Sequence, residues 1–213
     1  MSTSLDLRHL SDLALDAFRE LGNIGSGHAS GALATMLGRK VDITVPKVQL
    51  LAVARLDDLC PEQTETAAVH LRLTGDIEGV MAFCVPARTA EDFIRHLTGQ
   101  ALTIEDELGV SVIAEIANIV GGAFLSAFYG MTGLNAALTP PQYHTGGRRA
   151  AFTTVLEEIR PWGDYAFVVE TTFLYDGTTL PCSLFFIPRP AGMVSILERL
   201  GLQEIFSERK RVP

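Results

Sequence analysis

Two pairs of side chains in this chain could do chemistry: Glu20 with Asn23, and Glu115 with Asn118. The second pair follows the first at an offset of 95 positions. A carboxamide takes up no proton at neutral pH, yet it both donates and accepts hydrogen bonds. That suits the orienting of a water molecule. Phosphoryl transfer passes through a loose transition state, where positioning counts for more than strong base catalysis. A glutamate one turn away can pair with a lysine on a partner and dock it. A protein so equipped would complete a site that already holds its own phosphate and metal.

The elements that must position these pairs are duplicated too. At the same offset Ile24 falls on Ile119, Gly27 on Gly122 and Pro46 on Pro141. The apolar Leu15, Ala17, Phe18 and Leu21 fall on Val110, Val112, Ile113 and Ile116. This predicts one domain, 1–213, with approximate internal twofold symmetry between repeats at about 11–99 and 106–201. The period is far longer than that of a solenoid.

On a helix, positions i, i+4, i+7 and i+11 lie along one face. Asp16, Glu20, Asn23 and Gly27 are spaced that way, and so are Ser111, Glu115, Asn118 and Gly122. Glycine inside a helix costs up to about 1 kcal/mol relative to alanine. Its place in both stripes implies close approach by something else. The plainer alternative is a solvated polar stripe whose glycines serve helix packing.

Each half reads as long helix, strand, hairpin, short helix. The pattern predicts a helix at about 11–37, stopped by Gly38, and a strand-like stretch at 41–56 carrying Pro46. Short strands at 70–73 and 80–85 flank a Gly75-Asp76 turn, and a helix at 87–97 closes on Gly99. Thr103 with Asp106 is expected to cap a second long helix reaching about residue 129. A strand at 134–143 carries Pro141, and 148–159 is helical. Strands at 165–175 and 179–187 form a hairpin across Asp176-Gly177, before a last helix ending at 196–200. The class is α+β, with two long helices packed on a mostly antiparallel sheet.

Composition narrows the function. With 17 basic and 25 acidic residues the formal charge is −8, and the pI is about 5.1. That argues against a nucleic-acid or acidic-lipid partner held by the bulk field. The one dense basic run, at 209–211, reads as a frayed tail. Cys60, Cys84 and Cys182 form no C-x-x-C pair, and the five histidines show no H-x-x-x-H spacing, so neither a disulfide framework nor a metal site is expected. Free thiols, with no basic-then-apolar leader pattern, point to the cytoplasm. The apolar stretch 110–130 is long enough to span a bilayer. However, Glu115 and Asn118 lie inside it, which favours a buried helix with one polar stripe.

Two rival motifs fail. Gly22-Asn-Ile-Gly25-Ser-Gly27 has the wrong glycine order for a nucleotide loop, and no strand precedes it. Ser26 and His28 stand two apart on a helix, so their side chains diverge and supply no nucleophile with its base.

The stretch Asp16-x3-Glu20-x2-Asn23-x22-Pro46 resembles the signature of the CheC/CheX/FliY phosphatases of bacterial and archaeal chemotaxis. Ser111-x3-Glu115-x2-Asn118-x22-Pro141 matches it again. The text LGNIGSGHASGALATMLGR is similar to CheC, and the likeness runs through LFFIPRP near residue 187. Two retained sites resemble the stand-alone CheC type, since CheX-type proteins keep one. FliY and FliM carry a further flagellar-switch domain, for which this length leaves no room.

The resemblance implies hydrolysis of the aspartyl phosphate on CheY, a receiver-domain response regulator. It implies that Asn23 and Asn118 reach into the regulator and position the attacking water, and that Glu20 and Glu115 contact a lysine there. Asp16, Ser111, Gly27, Gly122, Pro46 and Pro141 are supporting positions. No cofactor of its own is implied; Mg2+ would belong to CheY. The receptor deamidase CheD is a second partner that the resemblance implies. The alternative is a weakly catalytic or non-catalytic adaptor binding CheD or a receiver. A structural switch component like the FliM middle domain is disfavoured by the intact Glu/Asn pairs.

Overall fold

The computed structural model describes residues 12–43, 46–59, 65–175 and 178–202. Helix α1 (Asp12–Leu37) comes first. Its buried residues, among them Ala14, Phe18, Leu21, Ala29 and Leu33, recur every three or four positions and so lie along one side. Gly38, at φ +63°, ends it. Strands β1 (Val41–Ile43) and β2 (Lys47–Ala52) follow, then a 3-10 helix (Val53–Leu59). A hairpin of β3 (Thr66–Gly75) and β4 (Gly79–Pro86) leads into α2 (Ala87–Thr98). The chain then runs through α3 (Glu107–Thr132), β5 (Ala136–Leu138), β6 (Gln142–Gly146) and α4 (Arg148–Ile159). A second hairpin, β7 (Tyr165–Tyr175) and β8 (Thr178–Pro188), precedes α5 (Pro190–Arg199).

The strands form one eight-stranded sheet in the order β1-β7-β8-β4-β3-β5, with β2 also along β7 and β6 also along β3. The pairings are antiparallel. β8 and β4 meet at the centre, and the arrangement to either side is the same. Each hairpin is flanked by the short strands of the other half: β7 by β1 and β2, β3 by β5 and β6. A hairpin edge that would otherwise expose unpaired backbone groups is thereby covered.

Side chains alternate across the sheet with the period of two expected of strands. Val69, Leu71, Met81, Phe83, Leu184 and Phe186 join Phe18, Leu33, Ile116 and Phe124 in the larger core, under α1 and α3. Ala68, Ala82, Cys84 and Phe185 turn the other way, onto Phe152 and Val155 of α4. The fold thus has three layers. Because both faces of the central strands are covered, β4 is buried along its whole length. Helix α3 is long and apolar enough to cross a membrane by length and composition. Here Ile113, Ile116, Val120, Phe124 and Phe128 are buried in the larger core.

Several elements differ from expectation. The strand-like stretch 41–56 is three elements. The ladder with β7 ends where Ala52 meets Tyr165, the first residue of that strand, and beyond it the chain turns into the 3-10 helix. The stretch 134–143 is likewise split at Pro140 and Pro141, which bring no N–H to a ladder. Thr139 covers the break: its amide donates to the Arg72 carbonyl at 2.9 Å, and its hydroxyl accepts from the Arg72 amide at 3.1 Å. The first hairpin is longer than expected on both arms, because β6 and β8 supply partners beyond the turn.

Helix α3 begins at Glu107, with Asp106 as its cap residue. The Asp106 carboxylate accepts from the Thr103 amide at 2.7 Å and hydroxyl at 2.8 Å. The expected pair therefore closes a turn before the helix. The 148–159 helix lies where the pattern places it. Cys84 and Cys182 are buried and, among the described residues, form no disulfide. Cys60, the Asp176-Gly177 turn and the 209–211 run lie outside the described residues.

Candidate functional site

Burial orients both stripes. On α1 the sheet-facing side is taken by Phe18, Leu21, Gly22, Gly25, Ser26 and Ala29, and on α3 by Ile113, Ile116, Ala117, Val120, Gly121 and Phe124. Successive residues turn by about 100°, so the stripes face outward. Asp16, Glu20 and Gly27 are exposed and Asn23 is half-buried. Ser111, Glu115, Asn118 and Gly122 are all exposed. Among the described residues, no side-chain hydrogen bond or ion pair engages Glu20, Asn23, Glu115 or Asn118. Each carboxylate and carboxamide is thus open to a visitor, one helical turn apart.

The first position of each stripe is occupied internally. Asp16 pairs with Arg19 at 2.5 Å, an exposed i,i+3 contact of small energetic weight. The Ser111 hydroxyl donates to the Glu107 carbonyl at 2.9 Å. The prolines diverge. Pro46 is buried, and its ring atoms lie 3.1 Å from where a Cβ on Gly22 would stand. It packs on α1 beside Asn23. Pro141 is exposed, and the residue matching Gly22 is Ala117.

The glycines separate into two kinds. A Cβ on Gly25 would stand 2.7 Å from the Phe124 ring, and one on Gly121 3.0 Å from Leu138. These two serve packing. A Cβ on Gly27 or Gly122 would meet nothing within 4 Å. The packing alternative therefore does not account for the stripe glycines. Ser26 is fully buried, its hydroxyl 2.7 Å from that of Thr171, while His28 points to solvent. No nucleophile–base pair forms there.

The same outer faces carry two leucines that the motif did not single out, Leu13 and Leu108, 59% and 45% exposed. Their signal was available in the sequence, because they too stand 95 positions apart.

Elsewhere, a groove of about 490 Å³ lies against the opposite layer, lined by Arg72, Glu78, Thr154, Glu158, Trp162 and Arg189. Two ion pairs cross it. Arg72 makes a bidentate pair with Glu158 at 2.7 and 3.0 Å, and Arg189 pairs with Glu78 while stacking over Trp162 at 5.3 Å. Among the described residues no group of three or more His, Cys, Asp or Glu could hold a metal ion.

Residues 13–50 match the model of the CheC-like family, and residues 67–156 that of the chemotaxis phosphatase CheX. The chain is 34% identical over 196 residues to the CheY-P phosphatase CheC of Bacillus subtilis, covering 88% of this chain and 93% of that one. The chain belongs to the CheC-like family. The stripes on α1 and α3 are thus set in a CheC-type chemotaxis phosphatase framework. Among solved structures, FliY of Thermotoga maritima superposes with a TM-score of 0.69 at 21% identity, covering 91% of this chain and 98% of that one. The CheX of a CheX-CheY-BeF3-Mg2+ complex from Borrelia burgdorferi superposes at 0.52 and 19% identity, covering 78% and 95%. At such identities the likeness is one of fold.

Proposed function

We propose that this CheC-like protein accelerates hydrolysis of the aspartyl phosphate of a CheY-type receiver, at two sites of one kind, and that the chain is a single domain of two repeats. The observation that carries this reading is the outward-facing Glu/Asn pair on each long helix, whose side chains have no partner among the described residues. In an acyl phosphate the bond to break joins phosphorus to the aspartyl oxygen. A water attacks phosphorus from the far side, that bond opens, and the aspartate leaves as a carboxylate beside inorganic phosphate. The carboxamide of Asn23 or Asn118 accepts a hydrogen bond from the water and holds it in line. Glu20 or Glu115 docks a receiver lysine and fixes the register. The metal that neutralises the phosphate belongs to the receiver, as does the phosphate. No step needs a group buried in this chain, which fits a cytoplasmic protein acting on diffusing partners.

Decay of radiolabelled CheY phosphate tests the reading. Wild type is expected to speed the loss. Asn23→Ala and Asn118→Ala should each retain the other site, and the double variant should lose nearly all stimulation. Removing a pre-positioned hydrogen-bond group costs roughly 2.7–4 kcal/mol in comparable sites. Normal activity in the double variant would overturn the mechanism. Tight receiver or CheD binding without faster phosphate loss in wild type would favour an adaptor.

A further inference from the structure

We propose that Leu13 and Leu108 are the apolar docking contacts of the two sites, each seated in an apolar patch that a CheY-type receiver presents about 15 Å from its acyl phosphate. This rests on the function proposed above and extends it to residues outside the motif. A single exposed leucine means little, since much of any protein surface is apolar. Here two occur at equivalent places. Both stand seven positions before the glutamate and ten before the asparagine, on the same outward face. Only four large apolar residues among those described are strongly exposed, and these two are the matched pair.

The geometry suits one visitor. At 1.5 Å per residue the leucine lies about 10 Å along the axis from the glutamate and about 15 Å from the asparagine. A small domain is about 30 Å across, so a receiver with its phosphate at the asparagine covers the leucine as well. The division of labour follows from the chemistry. The polar pair sets orientation, whereas removal of an aliphatic side chain from water adds affinity without regard to the reaction coordinate. A contact of that kind acts on binding in ground and transition states alike, and so on KM rather than kcat.

The test isolates each site. In an Asn118→Ala background, Leu13→Gln is expected to raise KM for phosphorylated CheY about tenfold, near the low end of what burial of a leucine supplies. kcat should stay within about twofold. Leu108→Gln in an Asn23→Ala background should behave alike, and Leu13→Met should restore KM. Affinity of the Leu13→Gln/Leu108→Gln protein for beryllofluoride-loaded CheY should fall about tenfold. Tyr165→Gln, at another exposed apolar residue, should change neither quantity. Glutamine is a good helix former at an exposed position, and circular dichroism checks the fold. Unchanged KM and affinity, or a loss confined to kcat, would overturn the inference. Retained activity in the Asn23→Ala/Asn118→Ala protein would instead remove the function on which it rests.

Discussion

Gly25 of α1 lies directly against the ring of Phe124 of α3: a Cβ on the glycine would stand 2.7 Å from two ring carbons. The two long helices approach closely there because one of them has no side chain. Phe124 is itself held by Phe186 of the sheet, with ring centroids 5.5 Å apart. Gly25→Ala is therefore expected to destabilise the fold by about 1–3 kcal/mol, the usual cost of overpacking a filled core. Urea denaturation measures it.

Two residues along the same helix the sign reverses. Gly27 has open space where its Cβ would be, as does Gly122. Alanine there should stabilise the isolated protein by up to about 1 kcal/mol through helix propensity. If a receiver approaches the bare backbone closely, the same change should slow dephosphorylation. A Gly27→Ala/Gly122→Ala protein that is more stable and equally active would show that the clearance serves no visitor.

Charge on the stripes should appear in the salt dependence. Glu20 and Glu115 are exposed, and a pair between either and a receiver lysine is screened once salt shortens the Debye length to about 8 Å or less. Raising ionic strength should therefore raise KM. In Glu20→Gln/Glu115→Gln the KM should be higher at low salt and respond less to added salt. Wild-type and variant curves with the same slope would count against the docking role.

His70 supplies a pH prediction. Burial holds its pKa below the ordinary 6.5, a pull opposed by the Gln142 hydrogen bond and the Glu158 carboxylate and reinforced by Arg72 and His144. Its Nδ1 lies 3.2 Å from Gln142 Oε1, and its Nε2 lies 3.3 Å from Glu158 Oε2 without forming a hydrogen bond. The folded state thus resists a proton that the unfolded chain accepts. Stability from this group is fully present above pH 6.5 and is lost as pH falls from 6.5 toward the folded-state pKa. An NMR titration of the His70 ring should show a midpoint below 6.5, and denaturant midpoints should fall over the same interval. A midpoint above 6.5 would mean that Glu158 outweighs burial.

The sequence by itself determined that the two halves carry matching Glu/Asn stripes and that each stripe shares a helix face, because a 95-residue self-match and the helical period are both local arithmetic on residue types. It placed the 148–159 helix, and turn residues between strand-like stretches placed both hairpins. It could not place the end of β2 at Ala52 or the break at Pro140-Pro141, because strand ends depend on the register of a distant partner such as Tyr165 opposite Ala52. Nor could it tell Gly25 from Gly27, which look alike as letters. Only the packing of α1 on α3 puts Phe124 against one and solvent against the other. The tertiary structure also decided that each half's short strands finish the other half's hairpin. Backbone hydrogen bonds are long-range and carry no side-chain signature, so pairing across the two halves is written in no single stretch of sequence.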